Sequence, residues 1–193
     1  TKIGTGFTAP RQLFATSIGG GSLFFSARSP NGIVVHRATG TSVSRIDGAG
    51  TNPRLAAASD RFLYFSGHTS ALGLEFWRTD GTNSGTAMLG EINPGSGNGS
   101  WHALAVKKVD ANTDLAVLSG FDPRFGNEPH VFRDGSSPRL LLDINTNNTT
   151  DSSNPTHLAE SPGGEAWFVT EFSGNRLWRT DGTRQGTKVV RRA

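Results

Sequence analysis

One cassette recurs along this chain, and it limits the fold more than any bulk property does. Glu75-Phe76-Trp77-Arg78-Thr79-Asp80-Gly81-Thr82 is followed by Gly85-Thr86. Near the end, Trp178-Arg179-Thr180-Asp181-Gly182-Thr183 is followed by Gly186-Thr187. Weaker copies read as His36-Arg37-Ala38-Thr39-Gly40-Thr41 and as a shortened Phe132-Arg133-Asp134-Gly135-Ser136, which sets the spacings at 41, 55 and 46 residues. Periods near ~40–50 residues belong to propeller blades.

Each copy sits in the same local context. Upstream runs a short apolar segment bounded by turn residues: 22–26, 62–66, 114–118 and 166–170. Such segments predict strands buried on both faces. Before each lies a weaker strand of smaller residues, Gln12–Ala15, Arg54–Ala57, His102–Val106 and His157–Ala159, as crowding around an axis would require. Asp-Gly pairs tolerate the left-handed backbone of a hairpin turn. They therefore predict a third strand turning into a fourth, and no stretch predicts an amphipathic helix.

The fold class expected is all-β: a four-bladed β-propeller with four antiparallel strands per blade, as one domain over 1–193. The blades fall at about 10–51, 52–100, 101–153 and 154–193, with 1–9 closing the ring. Four whole repeats predict a ring with adjacent termini or part of a longer array, and two chains joining into an eight-bladed ring is the homodimeric alternative. A solenoid would need atypical end repeats, and these end units are ordinary.

Composition narrows the function. With no cysteine, disulfides, Cys-ligated zinc and Cys nucleophiles are excluded. Net charge is +3 with a pI near 9.8, but the basic residues are scattered, without the stripe and module of a nucleic-acid binder. No stretch is long and apolar enough to span a bilayer as a helix. The first residues show no charged-then-apolar leader, which fits a cytosolic chain or a mature or excised piece of an exported one.

The cassette resembles bacterial tandem repeats written Glu-Leu-Trp-x-x-Asp-Gly-Thr-x-x-Gly-Thr. The resemblance extends to Phe25-Ser26-Ala27 and Phe65-Ser66-Gly67 before the motif. After it come Glu91-Ile92-Asn93-Pro94-Gly95 and Asp143-Ile144-Asn145, and Gly126–Phe132 is a further variant. It implies propeller blades in large exported or surface proteins, hence a secreted or cell-surface location, and it implies no catalytic residues. Unit one departs most, with His36 in place of Trp and Thr39 in place of Asp.

Trp77 and Trp178 read as wedges between blades, with sugar stacking as the alternative. Arg37, Arg78, Arg133 and Arg179 recur one residue on and face the opposite way. They suit pairing with an adjacent unit, or a ring of cations around an anion. Asp80, Asp134 and Asp181 read as turn caps. Asp143, Asn145, Asn147 and Asp151 have calcium-loop spacing but lack its glycine and its terminal Glu. His102 and His157 occupy equivalent inner-strand positions and read as hydrogen-bonded rather than metal-bound. Asn98-Gly-Ser and Asn148-Thr-Thr match glycosylation acceptors.

No hydrolase motif is present, and among inner-strand residues Glu160 is the only nearby acid. The reading is therefore a non-enzymatic binding or scaffold module without cofactor or metal. Its partner would be a protein or a cell-surface polysaccharide, met through inter-blade loops. The contact residues expected are Phe121, Arg124 and Phe125 in the insertion of unit three, with Arg78 and Arg179. A multivalent lectin is the first alternative and a propeller-type hydrolase the second.

Overall fold

The computed structural model describes residues 7–190 except 135, 149 and 173, and gives the backbone only at 55, 56, 101–104 and 108. Part of the expected ring-closing segment 1–9, the turn glycine Gly135, the His102 imidazole and Thr149 of one glycosylation match lie outside the described residues.

Four antiparallel sheets of four strands follow one another along the chain. The first holds β1 (Thr8–Thr16), β2 (Ser22–Ser29), β3 (Gly32–Thr39) and β4 (Ser42–Arg45). The second holds β5 (Thr51–Ala58), β6 (Leu63–Thr69), β7 (Gly73–Thr79) and β8 (Ala87–Met88). The third holds β9 (Ser100–Asp110), β10 (Thr113–Asp122), β11 (Gly126–Arg133) and β12 (Arg139–Leu140). The fourth holds β13 (Pro155–Glu160), β14 (Ala166–Thr170), β15 (Arg176–Thr180) and β16 (Lys188–Val189). Each sheet is a simple meander, so consecutive strands are neighbours. The single helical feature among the described residues is a 3-10 turn at Ile18–Gly20.

Register makes the repeat exact at the level of atoms. Phe65 pairs with Trp77, Phe25 with His36 and Phe168 with Trp178. In the third sheet the same place is taken by Leu118 opposite His130. The outer strand confirms it: Leu89 N–H donates to the Phe76 carbonyl and Leu141 N–H to that of Pro129, both at 2.9 Å. The third copy of the cassette is therefore Glu128-Pro129-His130, two residues earlier than the Phe132-Arg133 alignment. Matching on Arg-Asp-Gly misplaced it, because β11 runs on past the motif. The unit-three insertion is also not a free loop: β10 continues through Phe121 to Asp122 and β11 begins at Gly126.

Alternation along the strands gives each sheet a leading face toward the sheet before it and a trailing face toward the sheet after it. Phe24, Val35 and Ile46 of the first sheet pack against Leu63, Phe65 and Trp77 of the second. Tyr64, Phe76 and Leu89 of the second pack against Val106, Ala116, Leu118 and Phe132 of the third. Val117, Val131 and Leu141 of the third pack with Ala166 of the fourth. The core is thus three sandwiched layers between four sheets.

The cassette's remaining residues build its turn. Asp80 Oδ1 accepts from the Thr82 N–H at 2.8 Å and from its hydroxyl at 2.7 Å, and Asp181 does the same with Thr183 at the same distances. Thr79 and Thr86 share a 2.7 Å hydrogen bond, matched by Thr180 and Thr187. A Cβ on Gly85 or Gly186 would overlap the turn carboxylate, so the second glycine is required by close approach. Asp134 does not cap a turn in this way. It accepts from Arg61 at 2.8 Å and from Arg78, both on the second sheet, and from the Asp114 N–H at 2.9 Å.

Candidate functional site

The first strands of all four sheets line one cavity of about 540 Å³. Its wall is made of Phe14–Ser17, Ala57–Asp60, Ala105, Val106 and Leu158–Glu160. Alanines at 15, 57, 58, 105 and 159 keep the space open, since side chains from four strands converge there.

Two carboxylates stand at this cavity, Asp60 on the second sheet and Glu160 on the fourth, and both are exposed. They lie at the same end of their sheets. Ala58 pairs with Leu63 and Glu160 with Ala166 where each first strand turns into the second. The turn that presents Asp60 is fixed by Ser59: its N–H donates to the Phe62 carbonyl at 2.9 Å, and its hydroxyl accepts from the Arg61 and Phe62 amides at 3.1 Å. Glu160 is followed by a turn closed by Gly164 N–H on the Ser161 carbonyl at 2.8 Å. Acid–base hydrolysis of a glycosidic bond uses a pair of carboxyl groups flanking that bond. Asp60 sits two residues past β5, in a turn that the strand pattern of the sequence does not reveal.

Below Asp60 lies a buried polar cluster. Asp114 is fully buried on the third sheet, and its Oδ2 accepts from Tyr64 Oη at 2.8 Å and Ser59 Oγ at 2.6 Å. Burial, then the charge of Asp114, holds the Tyr64 phenol far above its ordinary value. This cluster joins the second sheet to the third and includes Ser59 of the cavity wall.

A second cavity, about 370 Å³, is lined by Asn93, Asn98, Phe121, Asn127, Ser152 and Asn154 at the end of the third sheet away from Asp114. Its amides are tied into the linkers: Asn98 Oδ1 accepts from the Leu74 N–H at 2.9 Å and Asn154 Oδ1 from Asn127 Nδ2 at 3.3 Å. Of the expected contact residues, Phe121 lines this cavity. Arg124 is turned back on Asp122, with Nη2 to Oδ2 at 2.7 Å, and lies 5.3 Å from the Phe125 ring. Arg78 is spent on Asp134 and stacks 4.3 Å over Phe62, and Arg179 pairs with Glu165 at 3.0 Å. Phe121, Arg124 and Phe125 lie together where β10 turns into β11, while Arg78 of the second sheet is held by Asp134 and Arg179 of the fourth by Glu165. His157 is exposed, with Nδ1 3.0 Å from Thr156 Oγ1.

Glu75 and Glu128 hold the linkers that leave their sheets. Glu128 accepts from the Ile144, Asn145 and Ser153 amides and, at 2.6 Å, from the Ser153 hydroxyl. Glu75 accepts from the Ile92 amide at 3.4 Å. Burial pushes each carboxyl up to about 7. This is the structural reason for the Glu of the cassette, and neither acid lines the cavity of the first strands.

No family model matches the chain, and no curated protein does. Among solved structures, it is similar to an α-L-arabinofuranosidase from Podospora anserina in complex with cellotriose. The identity is 13%, over 98% of this chain and 69% of that one, with a TM-score of 0.44. It is also similar to a GH62 hydrolase in complex with xylotriose, at 13% identity over 95% and 69% of the two chains and a TM-score of 0.43. A third is YCF48 bound to a peptide, at 13% identity and a TM-score of 0.47, where 88% of this chain spans half of that one. The expectation of a non-enzymatic contact module is corrected here. The cavity lined by the four first strands holds two acids where one was expected. The likeness assigns no residue a role.

Proposed function

We propose that this chain is a carbohydrate-active domain of propeller type, whose reaction site is the axial cavity. The four sheets are read as consecutive blades around that cavity. What supports the reading is one observation: Asp60 and Glu160, from two different sheets, line the same space. In glycoside hydrolysis one carboxylic acid protonates the departing glycosidic oxygen. The other carboxylate either takes a proton from the attacking water or attacks the sugar carbon itself. Ser17 on the same wall supplies a hydroxyl for a polyhydroxylated substrate.

The test is hydrolysis of a panel of aryl glycosides and soluble plant polysaccharides by the purified chain, beside Asp60→Asn and Glu160→Gln. Both side chains are exposed, so both variants are expected to fold and to lose roughly 10²–10⁴-fold in turnover. Absence of hydrolysis across the panel, or turnover unchanged in both variants, overturns the proposal.

A further inference from the structure

The repeated register also shows what should cover the two outermost faces. Val35, Phe76, Pro129 and Leu177 occupy one equivalent position on the trailing face of the four sheets, each accepting the same outer-strand hydrogen bond. The first three are buried beneath the next sheet, whereas Leu177 is 40% exposed. On the leading face of the first sheet, Leu13 is 64% exposed. Around it, Phe7, Pro10, Leu23, Ala38 and Val43 line an apolar cavity of about 240 Å³. Among the described residues, no buried cluster joins the fourth sheet to the first.

Polar groups tell the same story. Tyr64, opposite Arg78, reaches across to Asp114 of the next sheet, and Arg78 reaches Asp134 there. The equivalent pair on the fourth sheet is Trp167 opposite Arg179. Here the indole Nε1–H is buried without a partner, and Arg179 folds back onto Glu165 of its own sheet. A buried donor left unpaired costs about 1–3 kcal/mol, and its counterpart in the second sheet is satisfied by a following sheet.

We infer that the occupant of these faces is a second copy of this chain. The trailing face of its fourth sheet, centred on Leu177 and Trp167, docks on the leading face of the first sheet, centred on Leu13. The contact is heterologous, so each copy offers two different surfaces. The inference rests on repeat register and is independent of the activity proposed above.

Sedimentation of the full chain tests it, with near-ultraviolet circular dichroism to confirm that the variants fold. The wild-type chain should self-associate. Leu13→Lys and Leu177→Lys should each weaken association by roughly tenfold or more, because a charge is buried without a partner. An equimolar mixture of the two variants should regain association, since it contains one undamaged pair of faces. A monomeric wild-type chain at its highest soluble concentration overturns the inference. So does an unaffected Leu177→Lys variant, which would mean a symmetric contact through Leu13 alone. In the cysteine-free background, a Leu13→Cys, Leu177→Cys chain should cross-link between copies. A cross-link closed within one copy, or none, also overturns it.

Discussion

Tyr64 on the second sheet donates its phenol to Asp114 on the third, Oη to Oδ2 at 2.8 Å, with both residues fully buried. The bond crosses a sheet-to-sheet interface whose apolar part includes Phe76, Leu118 and Phe132. Tyr64→Phe keeps the ring and its packing but leaves Asp114 with the Ser59 hydroxyl as its remaining side-chain donor on Oδ2. Denaturant unfolding should show a loss of about 1 kcal/mol, the scale of one intramolecular hydrogen bond, because Oδ2 keeps its second donor. The slope should be unchanged, because the same surface is exposed on unfolding.

Tyr64 is also the only tyrosine in the chain, which makes its ionisation directly readable. Its phenol is held far above the ordinary value of 10.0, by burial first and by Asp114 second. A group whose pKa is raised in the folded state contributes stability that is intact below the unfolded value and is lost as pH climbs past it. Alkaline titration should therefore show no phenolate absorbance while the fold persists. The phenolate signal should then rise together with loss of circular dichroism. Ionisation near pH 10 in a folded chain would contradict the Tyr64–Asp114 contact.

Much of this architecture could be read from the sequence, because a repeat reports its own context several times. Strand order, the Asp-Gly turns and the small residues of the inner strands were all visible in that way. The third cassette was misplaced by two residues, although a usable signal existed: Glu128-Pro129-His130 carries the Glu-x-aromatic spacing of Glu75-Phe76-Trp77, with imidazole in place of indole. The candidate site was harder. Asp60 reaches the cavity from a turn, and its counterpart Glu160 is a hundred residues away. The contacts between neighbouring sheets, such as Arg61 and Arg78 on Asp134, join residues whose proximity no local pattern encodes. The repeated arginines were legible as partners of an adjacent unit, as Arg78 is on Asp134, whereas Arg179 stays within its own sheet on Glu165.

The turn of the cassette gives a third prediction. Gly186 lies against the Asp181 carboxylate, which the Thr183 hydroxyl and amide hold below its ordinary value. Gly186→Ala would push that carboxylate off its donors. The loss should be about 1 kcal/mol, the scale of one intramolecular hydrogen bond. Asp181→Ala should cost a similar amount and the double variant little more, because both changes remove one arrangement. Additive losses in thermal or urea unfolding would mean that the glycine has some other purpose.

The buried glutamates predict how stability varies with pH. Burial raises the Glu75 and Glu128 carboxyls from an ordinary value of 4.5 up to about 7. Between these values the unfolded chain has released its protons and the folded chain still holds them. Stability is then greatest at and below pH 4.5 as far as these groups are concerned, falls as pH rises toward 7, and levels off above it. At 1.36 kcal/mol per pKa unit, each group contributes on the order of 3 kcal/mol across that window. Glu75 is the cleaner probe, since its Oε1 is buried without a partner while its Oε2 accepts from the Ile92 amide. Glu75→Gln keeps one acceptor and abolishes the titration. The variant should lose about half of the decline in melting temperature between pH 5 and pH 8, and should match or exceed the wild-type chain at pH 8. An unchanged slope would show that the carboxylate is ionised and solvated, and that it does not hold the linker from the second sheet to the third as described.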